Sequence, residues 1–67
     1  MAVNIHYDPD ADAVFLRLSD SPILESEETR PGVIIDFDQD GKIVALEFLN
    51  ARKTFSAEAI KEFGKAA

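Results

Sequence analysis

Apolar and polar residues alternate strictly in four stretches of the chain. Val3, Ile5 and Tyr7 alternate with Asn4, His6 and Asp8, and Val14, Leu16 and Leu18 with Phe15, Arg17 and Ser19. Later, Val33, Ile35 and Phe37 alternate with Ile34, Asp36 and Asp38, and Val44, Leu46 and Phe48 with Ala45, Glu47 and Leu49. A period of two marks a strand with one face in a core. The runs are separated by turn formers: Asp8 to Ala13 (DPDADA), Ser19 to Pro22, Arg30-Pro31-Gly32 and Gln39-Asp40-Gly41. Aspartates bond nearby backbone amides and Pro presets φ, so these segments reverse the chain. Two antiparallel hairpins follow. Asp40-Gly41 between β-branched runs predicts a type I′ turn, which needs positive φ at both central residues.

The segment ILESEET is ambiguous. Ile23 and Leu24 are apolar, but Glu25, Glu27 and Glu28 suit an edge strand or an extended loop. The chain closes on a helical signal. Ser56 is a good N-cap, Phe55 stands at staple spacing from Ile60, and Ile60 and Phe63 share a face with Ala59 beside them. Gly64 suits a left-handed stop. Such a short helix is marginal alone in water and must dock on the apolar sheet face. The fold class is therefore α+β: a small antiparallel β-meander of four to five strands with one C-terminal helix, in a single domain spanning 1–67.

A chain of 67 residues hides only about 60% of the surface that it exposes when unfolded. Natural domains of this size lean on disulfides, metal or self-association. There is no Cys, so disulfides are excluded. The same absence agrees with a cytoplasmic location. The N-terminus MAVNIHYDPD has no basic or long apolar segment, so no targeting signal and no membrane span are expected. Net charge is −6, with seven scattered basic residues. Direct binding to nucleic acid needs clustered Lys and Arg, so it is not expected. A basic protein partner fits the charge.

Asp36 to Glu47, DFDQDGKIVALE, matches the EF-hand calcium-loop pattern. Asp36, Asp38 and Asp40 stand at loop positions 1, 3 and 5, Gly41 at 6 and Glu47 at 12. An EF-hand, however, is helix, loop, helix. Here Pro31, Gly32 and a β-branched row precede the loop, and its last positions lie in an alternating run. Along such a strand Glu47 is carried roughly 15–20 Å from the turn and out of reach of Asp36, at about 3.3 Å per residue. A second cation reading uses Asp8, Asp10 and Asp12 together with Asp36, Asp38 and Asp40. In a plain four-stranded meander the first and third turns lie at one end, and six carboxylates converge. An extra strand at ILESEET sends them to opposite ends. Aspartates also populate turns for backbone reasons alone.

His6 is the only His and has no second ligand at a recognisable spacing. There is no phosphate-binding Gly-rich loop and no nucleophile elbow. No enzymatic activity and no cofactor are expected. The second sheet face is more informative. By parity Phe15, Ile34, Ile43 and Leu49 point outward, among Arg17, Asp36 and Glu47. A solvated face reads polar throughout, whereas an apolar patch with a charged rim suits a protein interface. A C2 homodimer through Phe15, Ile34, Ile43 and Leu49 is expected. The acidic segment Glu25, Glu27 and Glu28 is the candidate surface for a basic partner.

Tyr7-Asp8, Asp12-Ala13, Leu18-Ser19, Pro31-Gly32-Val33 and the Asp36 to Gly41 turn together resemble a known family. It comprises the small prokaryotic proteins catalogued as domain of unknown function 2283. The resemblance runs from about Ile5 to Ala51, and the segment from Lys53 onward is the least family-like. It implies a small bacterial or archaeal cytoplasmic protein of β-rich fold, with no accepted activity, cofactor or catalytic residue to carry over. Members are suspected of serving as the antitoxin-like half of a two-gene toxin module.

Overall fold

A computed structural model describes residues 3–66. Five strands form one antiparallel sheet: β1 (Asn4–Asp8), β2 (Ala13–Arg17), β3 (Glu25–Arg30), β4 (Val33–Phe37) and β5 (Ile43–Phe48). Two helices follow, α1 (Ala51–Thr54) and α2 (Ala57–Ala66). The α+β class holds. The strand order is β1-β2-β5-β4-β3, so this is not a plain meander. The β1–β2 hairpin and the β3–β4–β5 meander are joined where β2 pairs with β5. ILESEET divides: Ile23 and Leu24 belong to the connection from β2, and Glu25 begins the edge strand β3.

All four alternating runs are strands, and their registers sort the side chains onto two faces. The inner face carries Tyr7 opposite Val14, Val14 opposite Phe48, Leu16 opposite Leu46 and Ile35 opposite Leu46. Phe55 and α2 serve this face. Phe55, between the two helices, meets Phe48 edge to face at 5.1 Å, and Phe63 of α2 meets Phe55 at 5.0 Å. Edge-to-face pairs of this kind add to the burial of the rings. Ser56 caps α2 as its sequence implies, accepting from Ala59 N–H at 3.1 Å. Gly64 does not stop the helix, which runs on to Ala66, because Gly64 does not adopt a positive φ.

The outer face has no helix on it, and the molecule is correspondingly thin: 35 × 28 × 17 Å. Its accessible surface is 4709 Å², against roughly 4,200 Å² for a folded monomer of its mass. Among the described residues only Val14, Val44, Ala45 and Ala51 are buried hydrophobics. Among the described residues no helix is long and apolar enough to cross a membrane.

Three local features depart from the alternation. The loop after β4 is longer than a type I′ turn. Gly41 N–H donates to the Asp38 carbonyl (3.0 Å) and Asp38 N–H to the Lys42 carbonyl (2.9 Å). Within this turn only Gly41 has positive φ, at 76°. A turn closed by one left-handed Gly is the three-residue hairpin loop. Next, a bulge shifts the β4–β5 register between Asp36 and Phe37, setting Ile43 opposite Phe37 with Val44 extra. Leu18 and Ser19 N–H both donate to the Val44 carbonyl (2.8 and 3.2 Å), which ties the β2–β3 connection to the bulge. Finally, Asp12 holds a left-handed φ of 53° and links the first turn to α1. Its carbonyl accepts from Ala51 N–H at 2.8 Å, and its carboxylate accepts from Arg52 N–H and the Tyr7 hydroxyl.

Gly32 closes the β3–β4 turn after Pro31 with φ 83°, and a Cβ there would lie 3.2 Å from the Leu49 carbonyl oxygen. That carbonyl is held in place, since Leu49 N–H donates to the Gly32 carbonyl at 2.8 Å. Gly32→Ala is therefore expected to destabilise the fold by about 1–2 kcal/mol, read as a lowered midpoint in urea unfolding. Gly41→Ala, with open space around its Cβ position, is expected to lose only about 1 kcal/mol for its positive φ.

Candidate functional site

The outer face is built from two cross-strand rows. One runs His6, Phe15, Glu47, Ile34, Glu28 across β1, β2, β5, β4 and β3. The next runs Asn4, Arg17, Ala45, Asp36, Ser26 in the same strand order. Glu47 thus stands on the central strand between two apolar neighbours, with Asp36 diagonally beside it. Ala45 and Asp36 are fully buried, Phe15, Ile34, Glu47 and Arg17 are half-buried, and His6 and Glu28 at the rims are exposed.

Asp36 and Glu47 are the unusual pair. Asp36 Oδ1 accepts from the Ser26 hydroxyl at 2.5 Å, while Oδ2 is buried without a hydrogen-bond partner. No Lys or Arg lies within ion-pair distance of either carboxyl among the described residues. Arg17, nearest along its row, spends its guanidinium on the Ser19 and Ser21 carbonyls at 2.5 and 2.6 Å. Two adjacent carboxyls without a cation cannot both ionise cheaply. The hydrogen bond to Asp36, partial burial and the Asp36 charge push the Glu47 carboxyl up to about 7 from its ordinary 4.5. Glu47 is then the donor that Asp36 lacks.

The expectation that Glu47 is carried out of reach of Asp36 is overturned. Asp36 lies at the turn end of β4 and pairs with Ala45, two residues before Glu47, while Ile34 faces Glu47, so Glu47 is a diagonal neighbour of Asp36. The stretch is nevertheless strand, turn, strand, not helix, loop, helix.

The six carboxylates do not converge. Asp8, Asp10 and Asp12 lie at the Phe48 end of β5, and the Asp38–Asp40 turn lies at its Ile43 end. Their oxygens serve the backbone. Asp8 Oδ1 accepts from Asp10 and Ala11 N–H, and Asp38 Oδ1 from Asp40 and Lys42 N–H. No group of three potential ligands is arranged for a metal among the described residues.

Of the outward apolar residues, Phe15 and Ile34 flank Glu47 as the parity implies. Leu49 continues the alternation beyond β5 and is exposed. Ile43 is a correction: the bulge at Val44 sets it opposite Phe37, in the inner-face row, so it does not join Phe15 and Ile34. Glu25 and Glu27 stand opposite Phe37 and Ile35 on the inner side, and Glu28 stands opposite Ile34 on the outer side. Two open hollows lie elsewhere. One, of about 260 Å³, runs between Pro22, Ile23 and Leu24 and the Asp38–Asp40 turn. The other, of about 310 Å³, lies at Arg52, Phe55, Ala57 and Ile60. Neither includes Asp36 or Glu47.

A family model described as protein of unknown function (DUF2283) matches residues 4–52, which is the whole sheet and the start of α1. The chain belongs to the DUF2283 family. The match omits α2, the segment that covers the inner face beside β1. No curated protein and no solved structure matches the chain. Within this DUF2283 chain the Asp36–Glu47 pair emerges only from the register.

Because folding raises the affinity of Glu47 for its proton, the folded state binds more protons than the unfolded state between about pH 4.5 and 7. The contribution is fully favourable below that window and is lost as pH rises through it. Partial exposure screens the pair, leaving an effect on the order of 1 kcal/mol. Glu47→Gln is expected to be more stable than wild type at pH 8 by that amount and to differ little at pH 4.5. Thermal melts of both proteins across this range check it, and an equal pH response would remove the shared proton.

Proposed function

We propose that this chain is a non-enzymatic protein-interaction module that takes a basic protein along the edge strand β3. One observation carries the reading: all six residues of β3 are exposed, and three of them are Glu25, Glu27 and Glu28. An edge strand offers unpaired N–H and C=O groups on its free side, onto which a partner strand can add. Its charges oppose pairing with another copy of the same acidic edge and favour a cationic one. The net charge of −6 extends that preference to longer range and speeds encounter. A cytoplasmic antitoxin that neutralises a basic toxin is one module of this kind.

The test reverses Glu25 and Glu27 to Lys, which leaves the outer face untouched. Tagged wild-type protein is expected to retain a stoichiometric basic protein from the source lysate at moderate salt and to release it at high salt. The double variant is expected to bind that protein about tenfold more weakly, since rim charges act mainly through association rate and salt dependence. A partner held equally well by the variant would move the binding surface away from β3.

A further inference from the structure

Exposed apolar side chains gather at one end of the sheet. Ile23 and Leu24 are 38% and 64% exposed, and Pro22 before them is exposed too. They form one wall of the hollow of about 260 Å³ that opens beside the start of β3. The facing wall is Asp38, Gln39 and Asp40. An exposed apolar wall thus stands across from two carboxylates.

Hydrogen bonds fix both walls. Leu24 N–H donates to the Phe37 carbonyl at 2.8 Å, and the Arg17 guanidinium donates to the Ser21 carbonyl at 2.6 Å. Opposite, Asp38 Oδ1 accepts from Asp40 and Lys42 N–H, and Gly41 N–H donates to the Asp38 carbonyl. The acidic charge of the rim is left open. Among the described residues, neither Asp38 Oδ2 nor the Asp40 carboxylate takes part in a hydrogen bond or ion pair. The Lys42 ammonium, next along the chain, lies beyond ion-pair distance of both.

The geometry points to an anchor socket for one arginine side chain of the basic protein partner. This assignment rests on β3 being the docking edge argued above, and it names what the partner must present there. The arginine stem lies on Pro22, Ile23 and Leu24, and its guanidinium sits between Asp38 Oδ2 and the Asp40 carboxylate. A long side chain can bury its stem on an apolar wall while its charge stays at an acidic rim. Arginine suits the place better than lysine. Its planar head is weakly hydrated and tolerates apolar surface, and its five donors reach two carboxylates at once. Arginine in a preformed pocket is also a common anchor of protein interfaces. A free small molecule fits less well. The hollow is smaller than the roughly 300 Å³ at which small-molecule sites begin, and its rim repels the carboxylate of a free amino acid. Continuity with β3 completes the argument. Glu25 follows Leu24 directly, and Glu27 stands on the same side of the strand. An extended segment anchored in the socket therefore runs onto the free edge and sets its further basic residues against these glutamates.

Titration of the isotope-labelled full chain with acetyl-Thr-Val-Arg-Val-Thr-amide, followed by backbone amide shifts, tests the socket. Saturable shifts are expected at Leu24, at residues 39–42 and along β3, with a dissociation constant on the order of 1 mM. The lysine version of the peptide is expected to bind about threefold more weakly, and the norleucine version about tenfold. Asp40→Asn removes a charge that no described residue uses. It is expected to weaken the arginine peptide about fivefold and to leave the norleucine peptide unchanged. Shifts confined to the hollow support the socket and overturn strand addition at β3. Shifts along β3 of equal size for all three peptides, with the hollow silent, overturn the socket and leave the β3 edge standing. An arginine peptide that Asp40→Asn holds as tightly as wild type overturns the socket, as does the absence of saturable shifts up to about 10 mM. The same shifts on concentrating the chain without peptide would seat a second copy in the hollow and overturn the arginine guest.

Discussion

Everything in this fold depends on the hydrogen-bonded pairing of β2 with β5. The chain supplies a hairpin, β1–β2, and a meander, β3–β4–β5, and neither half has a core of its own. Isolated hairpins are marginal in water, and three or more strands with a covered face are needed for stability. Pairing Val14 with Phe48 and Leu16 with Leu46 merges the two apolar faces into one. Phe55 and α2 then cover that merged face from the β1 side. The pairing also fixes the path of the β2–β3 connection, which crosses the end of β5 and is pinned to the Val44 carbonyl by two amides. The bulge at Val44 turns that carbonyl toward its donors, at the expense of one position of regular alternation.

The same pairing produces the Asp36–Glu47 pair. With β5 central, Glu47 has a neighbour on each side, Phe15 and Ile34, which shield it from water without bonding to it. Asp36 is deeper still. A buried ionised carboxylate with a free oxygen is among the more costly arrangements in a protein. Arg17 does not relieve it, because two of its nitrogens are committed to the loop carbonyls of Ser19 and Ser21. The Ser26 hydroxyl satisfies one Asp36 oxygen, and the neighbouring Asp36 raises the Glu47 carboxyl to about 7. Such polar groups in a sheet face specify how the face is used, since they penalise any cover that leaves them unpaired.

What the sequence made legible, and what it hid, follows from the range of each interaction. Alternation is a local signal, and it located β1, β2, β4 and β5. The Ser56 cap is local too, and it was visible. Strand order is not local: nothing in the run from Val14 to Leu18 says that its second neighbour is β5 instead of β3. The bulge was hidden because Ile43, Val44 and Ala45 read as a continuous apolar run, and only pairing with Asp36 and Phe37 reveals the extra residue. That one residue moves Ile43 off the outer face. Glu47 shows the same limit: its nearness to Asp36 depends on which residues the two strands pair, and Asp36 pairs with Ala45, one diagonal step from Glu47. The outer patch of Phe15 and Ile34 was legible by parity alone, because both lie away from the bulge.

The calcium-loop pattern in DFDQDGKIVALE has a hairpin explanation at nearly every position. Asp38 at position 3 closes the turn through Asp40 and Lys42 N–H. Gly41 at position 6 supplies the one left-handed residue of that turn. Ile43 at position 8 opens β5 opposite Phe37. Positions 1 and 12, Asp36 and Glu47, meet across the strands, much as the outermost ligands of a calcium loop meet across its ends. Calcium takes six to eight oxygens, and here the Asp38 carboxylate is spent on the turn backbone. The hairpin thus reproduces the closure of the loop without its coordination sphere. Among the described residues no cation neutralises the two carboxyls, and the Glu47 carboxyl is instead pushed up to about 7 by its Asp36 neighbour. Charge pairing in this sheet is therefore set by strand register, not by the spacing of acids along the chain.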